Sequence, residues 1–239
     1  MCGRFVASST PEQIAEFFGA SVDVESLGRN YNVGPTHDVY GVVAEPAADD
    51  DERPHLEAFH WGLIPSWAKD RKIASRMINA RSETLDEKRS YTKLFLERRL
   101  LVPMDGFYEW KAGDPDGPLS AKGKPVKQPY FIDRADGEPL AVAGLWTAWK
   151  DPADAEGRWL RSATVVTTSA NRLMSEIHDR MPVLVPRERW AEWLDPANRD
   201  VDGLKDLFEP RDDGALRMHP VSTEVNSVRN TAAHLLEPV

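Results

Sequence analysis

The sequence contains a single cysteine, Cys2, among its 239 residues. One cysteine rules out an internal disulfide framework and any zinc site built from several cysteines. Because a lone thiol stays reduced in a reducing compartment, we expect a cytoplasmic protein, or a nuclear one if the source is a eukaryote. Long apolar runs are also missing: no stretch approaches the ~20 residues that a membrane span needs, and no secretory leader opens the chain. The sequence therefore predicts a protein without membrane association.

Common nucleotide-binding, metal-binding and hydrolase motifs are absent as well. The chain contains no GxxxxGK[ST], no GxGxxG, no HExxH and no GxSxG. These absences weigh against a P-loop nucleotide hydrolase, a dinucleotide-binding fold, a zinc metallopeptidase and an α/β-hydrolase. The sequence implies no metal ion and no organic cofactor.

Acidic residues outnumber basic residues over the whole chain, but one segment is locally basic. The net charge is -9, yet residues 65–99 hold ten Lys and Arg, Arg89 among them, against five acids, a local charge of +5. The acidic residues cluster at 45–52 and 195–213. This division suits a protein with one polyanion-binding face and an acidic back. An ordinary mixed-charge surface is the alternative, and charge alone does not separate the two.

The first residues suggest a particular chemistry. Removal of Met1, expected before a small residue, leaves Cys2 with a free α-amine and a thiol on adjacent carbons. An aldehyde can condense with the amine, and the thiol can then close a five-membered thiazolidine ring. Reference pKa values of ~8 for the amine and ~8.5 for the thiol leave a useful fraction of both nucleophiles near neutrality. Gly3 permits close approach of a ligand, and Arg4 places a phosphate-binding guanidinium beside the thiol. The alternative is that Cys2 merely begins the chain.

Residue patterns predict strands along the whole chain, with helices between them. The NYNVGP segment at 30–35 is turn-like, and residues 135–137 predict a hairpin turn between two strands. Strands are predicted at 38–44, 56–63, 100–103, 106–110, 130–133, 140–149, 162–168 and 183–185, and helices at 11–18, 91–98, 186–194 and 201–208. This arrangement favours one α+β domain over residues 1–239 with a mostly antiparallel sheet.

Two polar stretches offer groups for binding and proton transfer. In NARSET, the amide of Asn79 can orient an amine while Arg81 grips a phosphate, although such pairs also simply cap turns. In GFYEW, Glu109 lies among aromatic residues, where burial would favour its neutral form and make it a proton carrier. Strand alternation allows Glu109 to point outward instead.

Two further stretches complete the candidate site. In HDRMP, His178 is a candidate general acid or base, and either Asp179 or Arg180 fixes it or contacts phosphate, although isolated histidines more often only satisfy hydrogen bonds. WGLIPSW places two indoles on a proline-stiffened loop. We expect Trp61 to be buried in the core and Trp67 to stack on an unpaired base, a contact of ~1–3 kcal/mol.

Seven of these stretches, in this order, resemble the SOS response-associated peptidase (SRAP) family. They are MCGRF, YNVGP, WGLIPSW, NARSET, GFYEW, HDRMPV and HPVSTEVNSVRN, and together they span nearly the whole chain. The resemblance implies an α+β domain around a barrel-like antiparallel sheet, with a groove for single-stranded DNA. It also implies covalent capture of abasic sites through a thiazolidine, thiol-type peptidase activity that removes Met1, and an associated lyase activity. The expected protein is a cytoplasmic, nucleoid-associated monomer whose partner is single-stranded DNA containing abasic sites.

The resemblance assigns roles to individual residues. It implies that Cys2 is the crosslinking nucleophile, that Asn79 positions the amine and the sugar, and that Glu109 and His178 move protons. The DNA contacts that it implies are Arg4, Trp67, Arg81 and Arg180, to which the basic segment adds Arg89.

Two departures and two alternatives accompany these expectations. Gly34 stands where an alanine is frequent in the family, and Ala68 follows Trp67 where some members have a second tryptophan. One alternative is a peptidase that uses Cys2 with His178 on peptides in trans. The other is a non-catalytic single-strand binder in which Cys2 is incidental.

Overall fold

A computed structural model describes residues 2–44, 53–120, 122–212 and 214–239. The acidic loop expected at 45–52 lies outside these residues. The strands are β1 (Phe5–Ala7), β2 (Ser21–Val22), β3 (Asn30–Val33), β4 (Asp38–Val43), β5 (His55–Trp61), β6 (Asn79–Arg81), β7 (Arg99–Met104), β8 (Gly106–Lys111), β9 (Gln128–Arg134), β10 (Leu140–Lys150), β11 (Trp159–Ser169), β12 (Arg180–Pro182) and β13 (Leu216–Pro220). The α-helices are α1 (Pro11–Phe18), α2 (Thr92–Glu97), α3 (Trp190–Leu194) and α4 (Val201–Asp206).

Five strands close into a barrel in the order β11, β10, β7, β4 and β5. Neighbours in this series pair antiparallel, and the closing pair, β5 with β11, is parallel, with Ser162 opposite His60 and Ala163 opposite Trp61. Past this closure, β6 pairs parallel with β11 and β12 pairs antiparallel with it, so both reach the same end of β11. The α+β class with a mostly antiparallel, barrel-like sheet is confirmed.

A second sheet brings the N-terminus against the barrel. Its order is β13, β9, β8, β1 and β3, and Phe5 of β1 lies opposite Phe107 of β8. Both phenylalanines are buried in the same apolar cluster as Cys2 and the barrel residue Val165. The burial of Phe5 therefore anchors the chain next to Cys2.

The first helix follows the capping pattern of its sequence. The Thr10 hydroxyl accepts a hydrogen bond from the Gln13 N–H at 3.3 Å, and the Gln13 side chain accepts one from the Thr10 N–H at 2.9 Å. Gly19 ends the helix in the left-handed region, with φ of 65°. Within the described ranges, no helix is both long and apolar enough to cross a membrane.

Three local predictions are wrong. The NYNVGP segment begins with β3 rather than a turn, because it pairs with β1. Residues 135–137 do turn, with the Gly137 N–H donating to Arg134 O, but β9 and β10 enter different sheets and form no hairpin. The strand expected at 183–185 is shifted to β12, and only single backbone bonds join Val183 and Val185 to β10.

Candidate active site

Cys2 lies fully buried at the meeting point of the barrel and the second sheet. The side-chain Nδ2 of Asn79 donates a hydrogen bond of 2.7 Å to the Cys2 carbonyl oxygen. Asn79 begins β6, and the pairing of β6 with β11, which places Asn79 opposite Val165, fixes its position. Among the described residues, no group donates to the buried Oδ1 of Asn79. One end of this amide holds the Cys2 backbone, and the other is an acceptor available to a ligand or an amine.

The thiol of Cys2 differs from a free cysteine. Burial, and secondarily the carboxylate of Glu109, raise its pKa well above the ordinary value of 9.0. The sequence-based expectation that a useful fraction is thiolate near neutrality is therefore wrong for the folded protein. The resting group is a protonated thiol, because the apolar cluster around it and the nearby negative charge both disfavour a second anion.

Glu109 points inward. It lies on the same face of β8 as Phe107, which packs in the apolar cluster around Cys2, whereas Tyr108 points to the opposite side. Its residue exposure is 2%. Strand alternation thus buries Glu109 rather than exposing it, since both faces of β8 are covered.

His178 faces Glu109 from a different segment. Its Nε2 lies 3.9 Å from Glu109 Oε2, a distance at which one small movement would make a direct hydrogen bond. The backbone N–H of Arg180 donates to His178 Nδ1 at 2.9 Å. An accepting Nδ1 in a neutral imidazole places the proton on Nε2, on the side of Glu109. The exposed Asp179 Oδ1 is 3.0 Å from the same Nδ1 and becomes its partner when the ring is protonated.

Arg4 is held against the C-terminal segment. Its Nη1 donates to Asn32 Oδ1 and to Val225 O, each at 2.8 Å. Burial lowers the pKa of Arg4. Asn32, which the sequence interpretation did not single out, is fully buried and donates to the carbonyls of Val225, Ser227 and Asn230. The NYNVGP and HPVSTEVNSVRN stretches were the available signals, but neither shows that Asn32 joins the two segments.

The expected DNA-contacting side chains differ in exposure. Arg81 and Arg89 are exposed, and Trp67 is 61% exposed, whereas Trp61 is buried as predicted. Ala68 is also buried and its carbonyl accepts the Trp149 indole N–H at 2.8 Å, so the position after Trp67 faces the core.

Arg180 is not a free cation. Its guanidinium makes a bidentate ion pair with Glu83, and Nη2 also donates to Thr167 O at 2.6 Å. Its side chain is only 13% exposed. The structure thus brings together Cys2, Asn79, Glu109 and His178. Arg180 contacts His178 through its backbone N–H, on the side of the imidazole away from Glu109.

The described part of the chain shows no cluster of three or more His, Cys, Asp or Glu side chains arranged to hold a metal ion. What the site does offer is a buried thiol that the Glu109 carboxylate influences, an imidazole 3.9 Å from that carboxylate, and an amide that holds the Cys2 backbone. This set can move protons around a carbon electrophile that enters next to Cys2.

Residues 1–228 match the family described as SOS response associated peptidase (SRAP). The chain is 39% identical to the abasic site processing protein YoqW of Bacillus subtilis over 239 residues, with 99% of each chain covered. It is 32% identical to the abasic site processing protein YedK of Escherichia coli, with 100% of each covered. A crystal structure of a protein from Bacteroides thetaiotaomicron superposes with a TM-score of 0.82 at 23% identity, covering 100% of both chains. By its sequence, the chain belongs to the SOS response associated peptidase (SRAP) family.

Proposed function

We propose that this protein captures abasic sites in single-stranded DNA by forming a thiazolidine through Cys2 after Met1 is removed. The relatives YoqW and YedK are named abasic site processing proteins, which supports the substrate class. The observation that carries the proposal is the placement of Cys2, whose carbonyl is held by Asn79 and whose thiol lies buried beside Glu109. A fixed backbone and a nearby proton acceptor would orient an aminothiol and speed its reaction with an aldehyde.

The first step opens the sugar. The closed form of an abasic deoxyribose hides its aldehyde, and opening breaks the bond between C1′ and the ring oxygen while the C1′ hydroxyl loses its proton to water. In the proposal His178 protonates the ring oxygen from Nε2, the nitrogen that faces Glu109 and carries the proton when Nδ1 accepts from the Arg180 N–H. Without an acid, the departing oxygen would leave as an alkoxide, which a water-poor pocket disfavours.

The second step joins the Cys2 amine to C1′. The amine must lose a proton before it attacks, and the buried Glu109 carboxylate is the candidate acceptor. The Oδ1 of Asn79 is the candidate acceptor for the remaining amine N–H, which would aim the nitrogen lone pair at the aldehyde. The carbonyl oxygen then leaves as water, and an imine remains between the Cys2 nitrogen and C1′.

The third step closes the ring. The sulfur adds to C1′ of the protonated imine, the thiol proton passes to a base, and the nitrogen keeps the former imine electron pair. Because the pKa of the thiol is raised, sulfur enters after the amine rather than before it. Closure removes the imine, which would otherwise promote β-elimination and strand cleavage. Overall the aldehyde and the aminothiol form one C–N bond and one C–S bond and release one water.

Exposed groups of the basic segment 65–99 supply the DNA-binding surface in the proposal. Arg81 ends β6, the strand that Asn79 begins, and is exposed, and Arg89 and Trp67 are exposed within the same segment. Cations hold the phosphates and an indole stacks on an unpaired base. In the proposal Arg4 and Arg180 lie under this surface and support it, because their guanidinium groups already donate hydrogen bonds to protein partners.

A peptidase acting in trans through Cys2 has weaker support. Attack on a peptide carbonyl needs a thiolate, and burial together with Glu109 disfavours one here. An aminothiol reaction does not need a thiolate in its first bond-forming step.

A denaturing gel distinguishes these functions. We expect the wild-type protein to shift an oligonucleotide containing one abasic site into a heat-stable band, and to leave the undamaged oligonucleotide unshifted. Cys2→Ala, processed to a free N-terminal amine, should give only transient capture and strand cleavage. A heat-stable band from Cys2→Ala, or peptide cleavage without any crosslink, would contradict the proposal.

A further inference from the structure

A cavity of about 200 Å³ lies where β13 of the second sheet meets β10 and β12 of the sheet that forms the barrel. Its walls are mostly apolar, and the side chains that form them include Leu140, Ala141, Met181, Leu184, Leu207 and Leu216. Small-molecule sites usually measure ~300–1,000 Å³, so this cavity suits a single large side chain better than a cofactor. Among the described residues, those assigned above to the reaction and to the DNA surface do not line it. The cavity is therefore separate from the site around Cys2.

Two partly exposed aromatic residues line one side of the cavity. Phe17 lies in the last turn of α1 and Trp190 begins α3, and their rings meet edge to face with centroids 5.3 Å apart. The indole Nε1 of Trp190 donates a hydrogen bond of 2.9 Å to Val185 O. This bond and the contact between the rings hold both aromatic side chains in place.

A cation lies over these two rings. The guanidinium carbon of Arg187 is 5.2 Å from the ring centroid of Phe17 and 5.4 Å from that of Trp190. Its Nη2 donates to Phe17 O at 3.1 Å, and within the described ranges the guanidinium makes no other hydrogen bond and no ion pair with a carboxylate. Arg187 is thus oriented by the aromatic rings, while most of its five N–H groups remain available to an anion.

The other charged side chains that line the cavity are mostly paired. Arg134 lies 3.6 Å from Glu138, and Arg211 lies 4.0 Å from Glu188. Glu209 is a further carboxylate in the lining. The cation over the aromatic rings is therefore the lining group best placed to receive an anionic ligand.

We propose that this cavity docks the C-terminal residue of a partner protein. The apolar side chain of that residue enters the cavity, and its α-carboxylate pairs with the Arg187 guanidinium. A chain terminus fits because one residue there carries both an apolar side chain and a carboxylate. An internal aspartate or glutamate carries its carboxylate in place of the apolar side chain. This docking depends neither on DNA nor on the removal of Met1.

The test is fluorescence anisotropy of a fluorescein-labelled peptide, Gly-Ser-Gly-Ser-Gly-Phe, made with a free C-terminal carboxylate and as the C-terminal amide. We expect the acid to bind at least about tenfold more tightly than the amide, because the amide loses the charge-assisted hydrogen bonds to arginine. Replacing the final phenylalanine by glycine should abolish binding. Equal affinities of acid and amide, or no binding of the acid at about 1 mM, would overturn the proposal.

Variants of the protein locate the binding. Arg187→Gln should remove the preference for the acid, whereas Arg172→Gln, which removes an exposed arginine outside the cavity, should keep it. Leu184→Phe narrows the cavity and should weaken binding of both peptides. Urea unfolding verifies that each variant is folded. A preference for the acid that survives in Arg187→Gln would overturn the proposal.

A free small acid has the same combination of an apolar group and a carboxylate. 3-Phenylpropionate should displace the labelled peptide only at much higher concentration than the unlabelled peptide does, because it lacks the backbone that continues over the rim of the cavity. Displacement by both at the same concentration would show that the cavity takes a small acid, and would overturn the docking of a chain terminus.

Discussion

The buried polar groups around Arg99 and those around Cys2 differ in how completely they are satisfied. Arg99 is 3% exposed, and its five N–H groups donate to five backbone carbonyls. The acceptors are Phe95, Leu96, Trp193, Asp195 and Asn198. These bonds join α2, β7 and α3, and no donor remains for a ligand.

Near Cys2 several buried polar atoms remain without such partners. Among the described residues, Asn79 Oδ1 accepts no hydrogen bond, and the Nε groups of Arg4 and Arg180 donate none. Buried polar groups are usually paired, because leaving one unpaired costs roughly 1–3 kcal/mol. The difference suggests that the Arg99 region serves the fold, while the Cys2 region keeps hydrogen-bonding capacity for a substrate.

The largest expected effect is on the rate at which the Cys2 thiol is alkylated, which should be much lower in the native than in the unfolded protein. The raised pKa of this thiol means that the thiolate fraction of the native protein stays low as pH rises through 9.0, the ordinary value. Iodoacetamide should therefore react much faster with urea-unfolded protein than with native protein at pH 8, because both the raised pKa and the burial of Cys2 reduce the thiolate that the reagent can reach. Between pH 7 and 9 the native rate should stay below the unfolded rate and keep rising about tenfold per pH unit, whereas the unfolded rate should begin to level off as the pH approaches 9.0. A native rate that levels off near pH 9, as the unfolded rate does, would contradict the raised pKa of the buried thiol.

Removing an unsatisfied acceptor should affect the reaction more than the fold. Asn79→Leu loses the bond to Cys2 O and the available Oδ1, so we expect single-turnover crosslinking to fall roughly 100-fold. The free energy of unfolding should fall by only about 1 kcal/mol, because the Cys2 carbonyl loses its donor but the buried Oδ1, which accepts no hydrogen bond, is removed as well. Rapid-quench gels and urea unfolding measure the two effects. A large loss of stability with normal crosslinking would reverse the roles assigned to the two regions.

Removing Arg99, whose hydrogen bonds are all made within the protein, should affect the stability of the fold more than the reaction. Arg99→Leu leaves carbonyls of α2 and α3 without donors, and we expect it to reduce the free energy of unfolding by about 3 kcal/mol. The pKa of Arg99 is lowered by burial to about 10, so it remains charged below pH 9 and its contribution should be constant from pH 6 to 8. Folded Arg99→Leu should crosslink at the wild-type rate. A rate loss matching that of Asn79→Leu would show that the two regions are not separable.

The smallest effect should come from the exposed surface. Arg81→Ala should weaken binding of single strands a few-fold and should reduce the slope of log affinity against log salt by about 0.7. Glu87→Gln serves as a surface control, since it removes an exposed charge from the same part of the chain. A slope identical to that of wild type would remove Arg81 from the proposed DNA surface and leave Arg89 and Trp67 as its exposed members.

Much of the fold follows from local residue patterns. The capped α1, most strands and the antiparallel sheet were predicted, because alternation and capping act within a few residues. The prediction of a hairpin at 135–137 was wrong. A turn sequence predicts that the chain reverses, but it does not predict which sheet each flanking strand joins. The closure of the barrel depends on the pairing of β5 with β11, about 100 residues apart in sequence, for which no local signal exists.

The sequence was enough to predict which residues form the site, but not which contacts they make. Family motifs led to Cys2, Asn79, Glu109 and His178, and the structure brings them together. The thiol pKa depends on three-dimensional burial, so a reference value was misleading. The partners of Asn32 and the Glu83 contact of Arg180 come from segments 97 to 198 residues away, beyond the reach of sequence patterns.

Intact mass spectrometry of the purified crosslink tests the central claim most directly. The account predicts a mass equal to the protein without Met1 plus the abasic oligonucleotide minus one water, with the adduct on Cys2 in the N-terminal peptide. An adduct on a lysine, or crosslinked protein that retains Met1, would contradict the account.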